Sequence, residues 1–387
     1  MPQLRDPRGR QFLLHEVSDE DRTRRLARAD AGATRQHRQE FIQKRHKGRP
    51  EVSGGVESHM RVLVTGCFGY LGPVIVKHLK AAGHEVVGLD TGWFLGNYAE
   101  MPVWPDETLW LDLRDAAELV LMRYSGAEQR QPDAVVHLAG LSNDPLGDLD
   151  PALTEKINVG GTLDLISLLP NARHVVVSSC SVYGANDTLA TTDTPVNPLT
   201  AYARGKAEVD RLATRYADDV ISLRLGTVWG YSPGHRLDLV VNRMMFDVVH
   251  RDRVTAIGNA WRPLVHVEDV ARAVTDCVDS DEQGIRNVVG ENVQMQELAY
   301  RIGDEFAEVE VICADGGGDT RNYRAHGEGI GTMRSVFSDE DLHDLWVNTQ
   351  LLPVVSAIDP TDRYTRLNSI RRLRNLGLLD ENLRRIN

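Results

Sequence analysis

The stretch VVVSSCSVYG, Val175 to Gly184, sets Ser178, Ser179, Cys180, Ser181 and Tyr183 at the end of an apolar run. A second group follows in AYARGKAEVDRLATRYA, where Tyr202 and Lys206 stand four residues apart. On a helix that spacing puts both on one face. These residue types suit proton transfer from an alcohol. A tyrosine is a poor base at its ordinary pKa of about 10. A lysine ammonium one turn away favours the phenolate, which could then take a hydroxyl proton near neutral pH. A serine hydroxyl can orient the same oxygen. Side chains alternate along a strand, so at most one of Ser178 and Ser179 is expected to face a crevice at the strand's end.

The elements that must position these groups begin at Arg61. RVLVTG reads as a strand, GCFGYLG as a turn, PVIVKHLKAAGH as a helix ending at Gly83, and EVVGLD as a strand ending in Asp90. Gly66, Gly69 and Gly72 give the spacing GxxGxxG. The first glycine permits a tight turn, the second lets backbone approach a pyrophosphate, and the third lets helix and strand pack closely. The helix N-terminus then faces the phosphates. With the right strand before it, helix after it and acid beyond, the pattern predicts a dinucleotide site. Asp90 would bind the adenosine ribose hydroxyls, and a carboxylate there favours NAD over NADP.

The rhythm continues. TLWLDLRD predicts a third strand with Asp112 at its end, DAVVHLAG a fourth from Asp133 to Ala139, HVVVSS a fifth and DVISLRLGTVWG a sixth. PALTEKINVGGTLDLISLL has helical spacing. Strands alternating with helices predict an α/β fold, a Rossmann-type doubly wound parallel sheet. Ligands then bind at the carboxyl ends of the strands, where these motifs sit.

Composition narrows the class. The chain has 387 residues and a net charge of −12, which disfavours nucleic-acid binding by the whole surface. No window approaches the ~18 consecutive apolar residues of a membrane helix. The four cysteines form no CxxC pair, which argues against a zinc site or disulfide framework and fits a reducing cytoplasm. No metal site is expected. Residues 1–60 are polar and basic, with a possible helix capped by Ser18. They read as a solvated extension, or as an arm gripping a partner or RNA.

GCFGYLG, Asp112, HLAG, INVGGT, SSCSVYG and YARGK together resemble the extended short-chain dehydrogenase/reductases, the NAD-dependent epimerases and dehydratases of nucleotide sugars. The resemblance covers about Arg61 to Thr320. It implies that Ser179, Tyr202 and Lys206 are catalytic. It implies that Phe68, Tyr70 and Leu71 beside the glycines, with Asp112, Leu113, Leu138, Ala139, Gly140 and Asn158, hold NAD. It assigns Ser142, Ser181, Tyr183, Arg236, Asn242, Arg262 and Arg321 to a nucleotide-diphosphate sugar, with Arg262 and Arg321 on the diphosphate and Arg236 as a phosphate contact; a surface salt bridge is the alternative role for Arg236 and Arg321. Tyr183 shapes the substrate pocket in this reading. Cys180 and His266 are expected to be structural.

The resemblance implies an NAD-binding domain over 61–230, and a smaller C-terminal substrate domain over 231–387 with some segments returning to the sheet. It also implies a homodimer through the Pro151–Leu169 region and the Tyr202 helix. Tyr202 would deprotonate a sugar hydroxyl at C4, giving a 4-keto sugar. Family dehydratases carry Asp-Glu after the catalytic hydroxyl; here Cys180 and Ser181 stand there. Epimerisation at C4 is therefore expected first and C4 oxidation or reduction second, ahead of a dehydratase or a non-catalytic NAD-binding regulator.

Overall fold

A computed structural model describes residues 59–95, 103–115, 130–306, 308–316, 321–327, 339–350, 366–375 and 377–384. The helix expected from Ser18 lies outside them. Seven strands form one sheet: β1 (Arg61–Thr65), β2 (Glu85–Asp90), β3 (Glu107–Trp110), β4 (Ala134–His137), β5 (Arg173–Ser179), β6 (Val220–Leu225) and β7 (Gly284–Val288). Their order is β7-β6-β5-β4-β1-β2-β3, and every neighbouring pair is parallel. Parallel strands covered on both faces read as continuous apolar runs. Val175, Val176 and Val177 of β5 are accordingly all buried, each contributing about 1.5–3 kcal/mol. The chain order reverses between β1 and β4, where such a sheet opens a ligand crevice.

Helices cover both faces. α1 (Gly72–Ala81) carries Pro73 in its first turn, buries Val74, Ile75, Val76 and Leu79, and is followed by Gly83 at φ 86°. The segment after β4 begins as α2 (Pro151–Glu155), with Asp150 accepting from the Leu153 amide. It widens into a π-helical turn at Lys156–Gly161 and continues as α3 (Thr162–Leu168). α4 (Ala201–Leu212) carries Tyr202 and Lys206, and sets the small residues Ala201, Ala203 and Gly205 inward.

The smaller C-terminal domain has its own core. Strands Thr227–Trp229, Trp261–His266 and Glu291–Gln294 form a three-stranded sheet, and Arg253–Ile257 pairs with Glu310–Ala314. Trp229, Met245, Leu264, Leu298 and Leu345 are buried together there, on α5 (Val240–Arg251), α7 (Met295–Glu305) and α8 (Asp339–Gln350) among other elements; α6 (Val267–Asp279) packs instead on α1. Beyond them, α9 (Arg366–Asn375) and the tail bring Ile370, Leu379 and Leu383 onto Leu141, Leu146, Leu153 and Ile157. Among the described residues no helix is long and apolar enough to cross a membrane.

Two strand expectations change. The expected sixth strand breaks at Gly226, so Val220–Leu225 joins the large sheet and Thr227–Trp229 the small one. Gly226 donates to Val288 O at 3.0 Å, and a Cβ there would stand 2.9 Å from Pro263 O. Only a glycine lets the chain pass between the sheets. The fourth strand stops at His137: the Leu138 amide still reaches Thr65 O at 3.2 Å, but the Ala139 amide turns to Thr65 Oγ1 at 3.2 Å.

Candidate active site

The strand ends open on a crevice of about 780 Å³. Its cofactor end is built mainly from backbone. Gly66 has φ 71° and donates to Leu89 O at 2.7 Å; a Cβ there would lie 2.8 Å from Ala139 N. A Cβ on Gly72 would lie 2.3 Å from Cys67 O. No side chain caps the N-terminus of α1, and no acid stands in its first turn. That leaves a helix N-terminus suited to phosphate. Asp90 Oδ2 accepts the Phe68 amide at 2.9 Å and Oδ1 the Gly92 amide at 2.7 Å, and the residue lines the crevice. Gly66, Gly69, Leu71, Gly72, Asp112, Leu113, Leu138, Ala139 and Gly140 line it too. A glycine cradle with no room for Cβ, an uncapped helix and an acid at β2 fit a dinucleotide.

Three residues expected at the cofactor make contacts within the protein. Phe68 turns away from the crevice and stacks on Trp110, with ring centres 5.2 Å apart; only its amide serves Asp90. Tyr70 lines the crevice, but its hydroxyl donates to Gly230 O at 2.7 Å and accepts from Asn242 Nδ2 at 3.2 Å. It braces the glycine loop against the loop after Trp229. Asn158 holds Leu141 from both sides, accepting its N–H at 2.7 Å and donating to its carbonyl at 3.0 Å. The π-helical turn aims Asn158 at that loop; such turns often mark functional sites. Asp112 keeps its place, but its carboxylate is taken by Arg114, with Nε at 2.8 Å.

The central residues converge. Ser179, Tyr202 and Lys206 line the crevice together, and the Ser179 hydroxyl accepts the Ser181 amide at 3.1 Å. Lys206 Nζ lies 5.7 Å from the Tyr202 ring centre and donates to Val177 O at 2.6 Å. Burial pushes Lys206 down to about 8, with Asp210 opposing. Burial also holds Tyr202 above its ordinary value, opposed first by the Arg236 guanidinium and then by the Ser179 hydrogen bond. Two cations therefore stand near Tyr202: the Arg236 guanidinium, which lowers its pKa, and the Lys206 ammonium over its ring. Ser178 lines the crevice as well, with its hydroxyl buried and without a hydrogen-bond partner among the described residues.

At the substrate end, Ser142, Ser181, Arg236, Arg262 and Arg321 all line the crevice. The Ser181 hydroxyl is buried and finds no partner among the described residues. Arg236 grips Asp238 through two nitrogens, at 2.9 and 2.8 Å, and donates to Ser142 Oγ at 2.9 Å. Arg262 lies over the Tyr323 ring, 5.6 Å from its centre, and donates to Trp261 O at 2.7 Å. Arg321 pairs with Asp144.

Two expected substrate residues are elsewhere. Tyr183 is buried behind the crevice; its hydroxyl donates to Asn287 Oδ1 at 2.7 Å and accepts from Arg224 at 3.0 Å. Asn242 is 0% exposed and fixes a loop, accepting from Gly230 N and donating to Arg236 O. Neither Cys180 nor His266 lines the crevice. The Cys180 thiol donates to Arg224 O, with burial pushing its pKa up, and His266 packs edge-on against Trp229. Sequence reasoning missed Asn143, Asp144, Thr200 and Asp238. Asn143, at φ 80°, accepts from Leu146 N at 3.0 Å and donates to Asp238. The signal was present in SNDP, a cap-type residue before an acid and a proline.

A family model described as "NAD dependent epimerase/dehydratase family" matches residues 62–290. A UDP-glucose 4-epimerase of Mycolicibacterium smegmatis is 30% identical over 250 residues, 61% of this chain and 78% of that protein. A dTDP-glucose 4,6-dehydratase of Neisseria meningitidis serogroup B is 27% identical over 288 residues, 66% of this chain and 75% of that one. The solved structure of MoeE5 in complex with UDP-glucose and NAD matches with a TM-score of 0.62 at 26% identity, over 75% of this chain and 99% of that one.

Proposed function

The chain belongs to the NAD dependent epimerase/dehydratase family, and on that premise we propose that it is a nucleotide-sugar 4-epimerase acting through a transient 4-keto sugar. The observation that carries this reading is the meeting of Ser179, Tyr202 and Lys206 in one crevice with the glycine cradle. Bound there, NAD would supply a reversible acceptor for the hydride of C4. Tyr202 takes the proton of the C4 hydroxyl while Ser179 holds that oxygen. Arg236 and Lys206 stabilise the phenolate. After the ketone turns over, Tyr202 returns the proton to the oxygen on the inverted carbon.

Arg262 and Arg321 are proposed to hold the diphosphate, and Ser142, Ser181 and Arg236 the sugar. Elimination of water needs a further acid and base. Cys180 and Ser181 follow Ser179, and the Cys180 thiol is buried with its pKa raised. Two copies are proposed to pair as in the resembling family; a monomeric mass at micromolar concentration is the contrary result. The reaction is tested with a nucleotide sugar carrying deuterium at C4. Internal recycling keeps the label at C4 of the inverted product. Net loss of the label with a keto sugar released would make the enzyme a C4 dehydrogenase.

A further inference from the structure

Asp144 opens the one-turn helix Asp144–Gly147 and lines the crevice. Its Oδ1 accepts the Thr200 hydroxyl at 2.5 Å, and its Oδ2 pairs with Arg321. Thr200 is the N-cap of α4 and accepts the Ala203 amide at 3.2 Å. Asp148, just past the same turn, accepts the Ala201 amide at 3.1 Å. The turn also lies against the catalytic side chain, since a Cβ on Gly147 would stand 3.1 Å from Tyr202 Cβ. α4 has no acid in its own first turn. The negative charge that a helix N-terminus favours comes instead from Asp144 and Asp148, over fifty residues earlier in the chain.

We propose that Asp144 is a positioning residue that ties Arg321 to the N-terminus of the helix carrying Tyr202. One carboxylate oxygen serves the cap and the other serves the guanidinium, so a change at Arg321 reaches the first turn of α4. Resting on the epimerase reading, in which Arg321 meets the diphosphate, this contact contributes to kcat as well as to substrate affinity. Asparagine at 144 would keep an acceptor for Thr200 while losing the charge that holds Arg321.

The test is hydrogen exchange by mass spectrometry on the NAD-loaded full chain, followed at the first turn of α4. Asp144→Asn and Arg321→Ala are each expected to speed exchange there roughly tenfold, and the double variant no further. Arg321→Ala with wild-type exchange at α4, or a double variant whose effects multiply, would overturn the coupling. Exchange in β5 of the same variants is expected to match wild type; faster exchange there too would mean a general loss of folding and would overturn the coupling. With a nucleotide sugar that the wild type turns over, Arg321→Ala should lower kcat and raise KM. In the Asp144→Asn background it should raise KM alone. A wild type that turns over no nucleotide sugar would remove the epimerase reading, and the exchange result would still decide the coupling.

Discussion

The two ends of the crevice are made differently. The cofactor end uses glycines, strand ends and a helix N-terminus, with atoms fixed by the sheet itself. The substrate end uses long arginines drawn from distant segments, two of them held by the protein's own carboxylates: Arg236 by Asp238 and Arg321 by Asp144. A backbone cradle is formed before its ligand arrives. An ion-paired arginine must share or exchange its partner when an anionic substrate comes. Specificity is therefore expected to lie in the second end, and cofactor retention in the first.

The largest effect should come where the two ends meet. Tyr202→Phe is expected to lower kcat about 10²–10⁴-fold while NAD still binds, as read by steady-state kinetics beside an NAD titration. Retained activity would place the base elsewhere. Next is the rigid end. Gly72→Ala drives a Cβ into Cys67 O, so NAD affinity should fall steeply and the unfolding transition should drop by about 4 °C or more. An unchanged titration would mean that the cradle yields, and the contrast between the ends would break.

The adjustable end is sharpened by pH. Tyr202 acts as a base only above its pKa, and the Arg236 guanidinium works against burial to hold that pKa down. Arg236→Met should move the acid limb of the kcat/KM profile to higher pH. An unmoved limb would assign the tuning to Lys206 alone. The smallest catalytic effect is expected behind the crevice. Tyr183→Phe should cost about 1.5–3 kcal/mol in urea unfolding through its lost hydrogen bonds, one of them to the buried Arg224, with kcat and KM close to wild type. A raised KM would return Tyr183 to the substrate pocket.

How much could be read in the sequence follows the same division. The strands, the glycine cradle, Asp90, Ser179, Tyr202 and Lys206 are legible because their determinants are local: period, spacing and turn chemistry. The break at Gly226 was hidden because it depends on Pro263 in a distant strand. Tyr183 and Asn242 were misplaced because their partners, Asn287 and Tyr70, are 104 and 172 residues away. Asp144 was missed for the same reason, since Arg321 is 177 residues away; Asp238 holds Arg236 two positions before it, but such a carboxylate looks like any surface acid until the chain folds.

The central claim is that Tyr202 and NAD move C4 through a ketone that never leaves. A proton NMR time course with NAD and a panel of UDP-, dTDP- and GDP-sugars tests it most directly, with absorbance of the reduced nicotinamide followed in parallel. The account predicts a new C4 stereoisomer with no net reduction of the cofactor. A keto sugar appearing in step with reduced cofactor would contradict it.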